Sequence, residues 1–293
     1  MKKLTSLLLV LFSVVAFAQS TANRFIYELN YKPKKDSSKI EKVFTILDIT
    51  QDKSIYQDYT IISQDSIMKV EIEELQKSGM MKDLSKKIRQ PKFSSKVYKS
   101  YPGMKIQFVE KIANGFTPTT IGYDDASTFN WKIENEKKKI GAYNAQKATT
   151  EFGGRKWVAW FSSDLPFQDG PYKFSGLPGL IIQIEDVDKN YSWELIGNTK
   201  VNDYTEYSYI EKAFGLSGGK PVIVSRDKFD KTFNDFKKDP FATVRPMLTS
   251  EMLSSKMPGM DGTVGDMLKK QEKEYKDFYS SIDNTIEIAN EKK

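Results

Sequence analysis

Alternating apolar and polar positions along much of the chain predict a protein built mainly from β-strands. The first clear stretch places Phe25, Tyr27, Leu29 and Tyr31 at every second position, as in a strand with one buried face. A charged turn separates this stretch from a second predicted strand over 43–49. Two such strands joined by a turn are typical of a β-hairpin, so we expect antiparallel sheet in this part of the chain.

Between residues 96 and 199 the pattern predicts a series of short strands rich in aromatic and β-branched side chains. Turn residues such as Pro102-Gly103 and Gly153-Gly154 separate neighbouring strands, and connections this short favour antiparallel pairing. The strands predicted in this region cover 96–101, 104–112, 117–123, 129–134, 138–150, 155–162, 179–186 and 191–199. Further short strands are predicted over 54–56, 221–225 and 284–288.

Three segments carry apolar residues at helical spacing, and we expect helices over 58–88, 226–238 and 263–280. Ser225 is a suitable N-cap for the second helix, and 240–262 is expected to be a loop. Many strands beside few helices indicate an α+β fold that is mainly β. We predict a curved antiparallel sheet of roughly eight to ten strands, open like a half-barrel, with the helices packed against it.

The first 18 residues combine a positively charged start with a short apolar core and an Ala16-Phe17-Ala18 cleavage motif. These features predict a signal peptide over 1–18 and a single exported domain over 19–293, with an uncleaved anchor as the alternative. No later stretch reaches the roughly 18 consecutive apolar residues of a spanning helix. We therefore expect the protein in the periplasm, secreted or associated with the outer membrane, and in contact with a membrane only through a partner.

The chain has 293 residues, no Cys, no His and a formal net charge of +6. Without His there is no Ser-His or Cys-His pair, no HExxH motif and no imidazole metal ligand. Acid–base chemistry is then limited to carboxylates, Lys or Tyr, which leaves a carboxylate-pair hydrolase or a Ser-Lys dyad among the enzyme classes. We predict no cofactor, and an exported chain with only short basic runs is not expected to bind nucleic acid.

Two serine motifs are present, but each lacks residues that its chemistry requires. GLSGG at 215–219 matches the G-x-S-x-G pattern of a nucleophile elbow, but its His partner does not exist. Ser217 and Lys220 fit S-x-x-K, but the SDN and KTG elements that accompany that motif are missing. We therefore predict no catalytic residue and interpret 215–219 as a glycine-rich loop.

Two segments raise the question of a metal site. DVDKN at 186–190 has acids at calcium-loop spacing, but the Gly and Glu that such a loop requires are missing. A looser cation site formed by Glu185, Asp186 and Asp188 stays open beside a simple hairpin turn. Five methionines offer soft thioether ligands, although Met is also an ordinary filler of apolar cores. They are Met247, Met252, Met257, Met260 and Met267.

Arg155, Trp157 and Trp160 are the candidate binding residues, because a cation beside aromatic rings can form a stacking platform for a sugar or a peptide. The alternative is that the rings belong to the core of the predicted strand 155–162. Trp157 and Trp160 differ in parity along that strand, so they are expected on opposite faces of the sheet.

The run YKFSGLPGLIIQIED at 172–186 contains two glycines and a proline before an apolar strand. It has neither the GK[ST] of a phosphate-binding loop nor the G-x-G-x-x-G of a dinucleotide-binding loop. Pro178-Gly179 suits the central positions of a type II turn, and Gly176 can adopt a conformation that other residues avoid. We therefore interpret the run as a tight corner that leads into a buried strand.

The longer run GPYKFSGLPGLIIQIED at 170–186 resembles the signature of the GLPGLI family of exported, Porphyromonas-type Bacteroidota proteins. Flanking elements agree in order over roughly 131–186: a Trp-led strand, K-A-T, G-R and A-W-F. The motif residues are Gly170, Pro171, Tyr172, Phe174, Gly176, Leu177, Pro178 and Gly179. The resemblance implies an envelope or secreted location, a mostly β fold and a link to outer-membrane uptake systems, and it implies no established activity.

These observations favour a non-catalytic binding or interaction protein of the cell envelope. Its expected partner is a small ligand, a lipid, a glycan or an envelope protein. The alternatives are a His-free hydrolase that uses carboxylates and a structural accessory of an outer-membrane transporter.

Overall fold

In the computed structural model, residues 20–80, 89–114, 117–213, 219–256 and 262–288 are described. The predicted signal peptide over 1–18 lies outside these residues and stays a prediction. Strands in the described part belong to one open sheet. In chain order they are β1 Ala22–Tyr31, β2 Glu41–Ile49, β3 Lys53–Asp58, β4 Lys96–Ser100, β5 Lys105–Asn114, β6 Thr117–Asp125, β7 Lys132–Ile140, β8 Tyr143–Phe152, β9 Arg155–Ser162, β10 Leu180–Asp186, β11 Tyr191–Val201 and β12 Val222–Ile223.

The sheet consists of two antiparallel meanders, which are joined where β1 pairs with β11. Strands β6 to β1 are neighbours in reverse chain order, and β11 to β7 continue the sheet on the other side of β1. β1 pairs with β11 from Ala22 opposite Val201 to Tyr31 opposite Tyr191, with one bulge between Ile26 and Tyr27. This arrangement confirms the predicted antiparallel, mainly β fold, with β1 as the strand that both meanders share.

The connection between β6 and β7 forces the sheet to curl. Only residues 126–131 join these strands, and an extended chain covers at most about 3.6 Å per residue, or roughly 25 Å here. β6 stands second and β7 twelfth in the strand order. At about 4.8 Å between neighbours, a flat sheet would place them roughly 48 Å apart. The sheet therefore curls until its ends approach, while β7 and β12 do not pair within the described residues.

Side-chain contacts give the same curvature independently. The ring of Tyr172 lies 6.3 Å from that of Phe108 on β5 and 6.4 Å from that of Phe152 on β8. These strands are third and eleventh in the order. One tyrosine can touch both only because the sheet wraps around the 163–179 segment, which fills the interior of the half-barrel.

The helices of the described residues are α1 Thr60–Ser63, α2 Asp65–Ser78, α3 Tyr209–Ala213, α4 Arg226–Lys238, α5 Ser250–Ser254 and α6 Val264–Ser280. One helix, α4, packs against strands β5 and β6, and α6 packs against α4. Ser225 caps α4 as predicted, by accepting a hydrogen bond from the backbone N–H of Lys228. Phe229 of α4 packs against Phe108 and Tyr123 of the sheet. Among the helices of the described part, none is long and apolar enough to cross a membrane.

Several predicted boundaries are wrong. β7 runs to Ile140 and turns at Gly141, whereas the pattern predicted a break between 134 and 138. The reason is that β7 is the edge strand, so its exposed charged residues carry no apolar alternation. The 221–225 segment contributes only the two residues of β12, which pair parallel to β6 and make the sheet mixed.

Two segments in the last quarter of the chain also differ from the predicted structure. Residues 284–288 form no strand and instead pack across the end of the half-barrel. The predicted loop over 240–262 contains α5 and a short 3₁₀ turn at Arg245–Met247. Residues 284–288 are held by contacts with Arg155, whereas α5 begins at a local N-cap, Thr249, whose side chain accepts a hydrogen bond from the N–H of Met252.

The corner before β10 is tighter than predicted. The backbone N–H of Gly179 donates to the carbonyl of Leu177 at 2.8 Å, which closes a three-residue turn, so the predicted type II turn is wrong. Gly176 has the predicted positive φ, at 92°. A Cβ on Gly179 would lie 2.3 Å from the carbonyl oxygen of Ser162. Gly179 is therefore required because β9 passes directly against the backbone at this corner.

We predict that Gly179→Ala lowers the free energy of unfolding by on the order of 3 kcal/mol, because the new methyl group meets backbone that cannot rotate away. Urea unfolding of the purified protein measures the effect. Gly197→Ala is the matched control, since a Cβ there meets no atom within 4 Å. Equal stability of the two variants would contradict the steric account.

Candidate functional site

Lys173 lies at the centre of the filled interior. Its side chain is fully buried, and its ammonium donates to Asp125 Oδ2 of β6 at 2.5 Å, to the hydroxyl of Tyr123 at 2.8 Å and to Glu287. Four aromatic rings surround the ammonium at 5.1–5.9 Å. Burial alone would raise the pKa of Asp125, but the charge and hydrogen bond of Lys173 together with hydrogen bonds from Ser127 lower it. A buried cation that is paired and bonded in this way stabilises the fold only while all partners are present.

A second buried ion pair anchors the start of the same segment. Lys99 of β4 pairs with Asp169 and also donates to the carbonyl of Gly170 at 2.6 Å. Asp169 accepts further hydrogen bonds from Ser54 at 2.6 Å and from Tyr101. Asp169 and the carbonyl of Gly170 are therefore fixed to strands β3 and β4, which makes the start of the GLPGLI-like motif structural.

Arg155 holds residues 284–288, the C-terminal segment, across the end of the half-barrel. Its guanidinium donates to the carbonyls of Thr285 and Ile286 at 2.7 and 3.0 Å and to Asn284 Oδ1 at 2.6 Å. It also pairs with Asp186 at 3.1 Å. These contacts hold Glu287 next to Lys173 and Arg226.

The three predicted binding residues do not form one platform. Trp157 is 1% exposed, and its ring lies 4.8 Å from Phe174 inside the core. Trp160 lies beneath the ammonium of Lys138, 4.0 Å from the ring centroid. Arg155 is occupied by the C-terminal segment, and none of the three lines the cavity described next. Their role in binding stays a prediction.

A cavity of about 320 Å³ opens at the mouth of the half-barrel. One wall is formed by residues of β1, β2, β3, β5, β6 and β11, and the other by residues of α4, α6 and the 282–287 segment. The cavity is lined mainly by aromatic side chains: Tyr56, Phe93, Phe108, Tyr123, Tyr172, Tyr191, Phe229, Phe233, Phe278 and Tyr279. A concave apolar site with a few polar groups is the usual form of a small-molecule pocket.

Glu110 is the unusual polar group of this cavity. It lies on β5, is 6% exposed and accepts a hydrogen bond from Ser94 Oγ at 2.7 Å. Burial raises the pKa of its carboxyl to about 7, because the hydrogen bonds from Ser94 and the backbone of Lys111 and the charges of Lys237 and Lys111 only partly offset desolvation. A carboxyl that titrates near neutrality in a pocket is a candidate functional group.

Other charged groups of the lining are held by the protein itself. Arg226 forms two hydrogen bonds of 2.9 Å with Asp230 and one of 2.7 Å with the hydroxyl of Tyr123. Asp58 accepts hydrogen bonds from the backbone N–H groups of Thr60, Lys92 and Phe93. The cavity therefore combines aromatic surface with the Glu110 carboxyl and with charged groups, among them Arg226 and Asp58, that other residues of the protein already bind.

In the cation site predicted at 185–188, Asp186 and Glu185 already have partners within the protein. Asp186 accepts from Arg155, from the N–H of Tyr191 at 2.6 Å and from Asn190, while Glu185 pairs with Lys189. Within the part of the chain that the structure describes, no three His, Cys, Asp or Glu side chains are arranged to hold a metal ion. Met257, Met260 and Ser217 lie outside the described residues.

The described strands thus form one open, curled β-sheet with an aromatic-lined cavity at its mouth. A family model described as "Protein of unknown function (Porph_ging)", a Porphyromonas-type family, matches residues 153–183. This match covers most of the segment that resembles the GLPGLI signature, and it includes the β9 strand and the Gly179 corner. A comparison with curated proteins gave no match.

Among solved structures, the chain is similar to PNGF-II. For the C2 crystal form the TM-score is 0.51 at 14% identity, over 74% of this chain and 33% of that chain. For the P21 crystal form the TM-score is 0.47 at 15% identity, over 73% and 33%. This chain thus spans about a third of the PNGF-II chain, and the likeness at such low identity concerns the fold alone.

Sequence reasoning missed both Glu110 and the cavity. The alternation along β5 marks Glu110, because this residue lies on the same face of the strand as Ile106 and Phe108. An apolar residue is expected at that position. An acid at an inward-facing position of a strand is informative because charged groups are seldom buried without a partner.

We predict that Glu110 makes the folded state less stable as the pH rises. Its folded pKa of about 7 lies above the unfolded value, so its contribution is most favourable below about pH 4.5 and is lost as the pH rises through about 7. Relative to Glu110→Gln, the unfolding free energy of the wild type should fall by on the order of 2 kcal/mol over this range. Urea unfolding at several pH values tests this, and parallel pH profiles for the two proteins would contradict it.

Proposed function

We propose that the protein is an exported cell-envelope protein of the GLPGLI family that binds a small, largely apolar molecule in the mouth cavity without transforming it. The observation that carries the proposal is the cavity of about 320 Å³ with ten aromatic side chains in its lining. Aromatic walls bury a ligand over a large area and orient it through ring stacking. The envelope location rests on the leader sequence and on the resemblance of residues 170–186 to that family.

The state of the carboxylates supports binding over hydrolysis. A hydrolase that lacks His would need two carboxyl groups that face each other across the substrate. Of the carboxyls in the lining, Asp230 and Glu287 are held by Arg226, and Asp58 is held by backbone N–H groups. Glu110, whose pKa is raised by burial, is the remaining carboxyl of the lining, and it suits recognition of a polar ligand group.

The test uses N-phenyl-1-naphthylamine, a neutral fluorophore whose emission rises in an apolar site. We expect the purified protein over residues 19–293 to bind it, and Asn234→Trp to weaken this binding about ten-fold, because Asn234 lies on α4 in the cavity lining. Asp235→Trp is the control, since it places the same side chain on the adjacent exposed position outside the lining.

Two results would contradict the proposal. One is the absence of fluorophore binding to the wild-type protein under conditions in which that protein is folded. The other is equal binding by the Asn234→Trp and Asp235→Trp variants, which would place the fluorophore elsewhere on the surface.

A further inference from the structure

Glu110 is an acid for which the described residues supply no ion pair. Its carboxyl accepts the Ser94 hydroxyl at 2.7 Å, and the charges that act on it are Lys111 on its own strand and Lys237 on α4. Burial raises the pKa of the Tyr279 phenol on α6, and the negative charge of Glu110 raises it further. A buried carboxylate is stabilised when a cation comes to lie beside it, so this position favours a positively charged ligand.

Among the described residues of the lining, no cation forms an ion pair with Glu110. Lys92 pairs with Glu41 at 2.9 Å, and Arg226 is held by Asp230 and Glu287. The ammonium of Lys237 lies over the ring of Phe233, 5.1 Å from its centroid. A ligand that enters the cavity therefore meets the Glu110 carboxyl and the faces of aromatic rings.

The same interior already accommodates a cation in this manner. Lys173 is fully buried, with four rings at 5.1–5.9 Å and carboxylates at hydrogen-bonding distance. Aromatic faces attract cations through the ring quadrupole, most strongly where water is excluded. Phe108, Tyr123 and Tyr172, three of the four rings, also line the cavity.

We propose that the cavity selects an organic cation, namely an alkylammonium group joined to an aromatic or similarly apolar body. The ammonium lies beside Glu110, and the body packs among the rings of β5, α4 and α6. This inference rests on the proposed binding function and adds the charge of the ligand to it.

The test compares three probes that share one phenylethyl body: protonated 2-phenylethylamine, neutral 2-phenylethanol and anionic 3-phenylpropionate. Calorimetry at about pH 8.5, where Glu110 is ionised, should give the ammonium probe the tightest binding, by roughly ten-fold over the alcohol. At about pH 5.5 the ammonium probe should bind roughly ten-fold more weakly, because the carboxyl is then protonated. Near neutral pH its binding should release a proton, which appears as a dependence of the heat on the buffer.

Two variants of the full chain separate recognition from stability. Glu110→Gln should remove the preference for the ammonium probe and its pH dependence, while the binding of 2-phenylethanol changes less than about two-fold. Glu251→Gln, on the exposed helix α5, should change neither. The comparison of probes on the wild type needs no variant and stands even where Glu110→Gln folds poorly.

The outcomes distinguish this inference from the proposed function. Equal binding of the ammonium and alcohol probes, or tighter binding of 3-phenylpropionate, overturns the cation inference and leaves a neutral or anionic ligand for the cavity. Failure of the ammonium probe to bind overturns it as well, whether or not N-phenyl-1-naphthylamine binds. Failure of the fluorophore alone counts against the proposed function.

Discussion

The burial of Lys173 is the interaction on which the rest of the structure depends. Its ammonium lies between Asp125 near one end of the strand order and Phe152 near the other, and Glu287 adds the C-terminal segment to the same centre. A fully buried ammonium is costly unless several partners surround it. The curl of the sheet, the packing of the 163–179 segment and the position of the C-terminal segment are therefore coupled through one side chain.

The mouth cavity follows from this coupling. The 163–179 segment fills the interior, and Arg155 holds residues 284–286 at the end of the half-barrel. The space that stays open therefore lies between the sheet and the helices α4 and α6. The wall rings are fixed by contacts among themselves, such as Tyr123 with Phe229 at 4.9 Å. Such a preformed site loses little conformational entropy when a ligand binds.

Much of the architecture could be predicted from the sequence, because strand alternation and helix capping are local signals. The face of β1 that carries Phe25, Tyr27 and Leu29 is buried as its pattern indicates, and α4 spans the predicted residues. The strand order could not be predicted, because it depends on which distant strands pair. The candidate site depends on that order, since Glu110 and Phe233 meet only when α4 packs into the mouth of the curled sheet.

The central claim is that Lys173 holds the curled sheet together, and the most direct test is a distance measurement. The chain has no Cys, so spin labels can be placed on cysteines substituted at Asp124 of β6 and Glu151 of β8 and read by double electron–electron resonance. The account predicts a narrow, short distance in the otherwise wild-type protein, well below the roughly 43 Å between these strands in a flat sheet. It predicts a longer and broader distribution after Lys173→Met. An unchanged narrow distribution in that variant would contradict the claim.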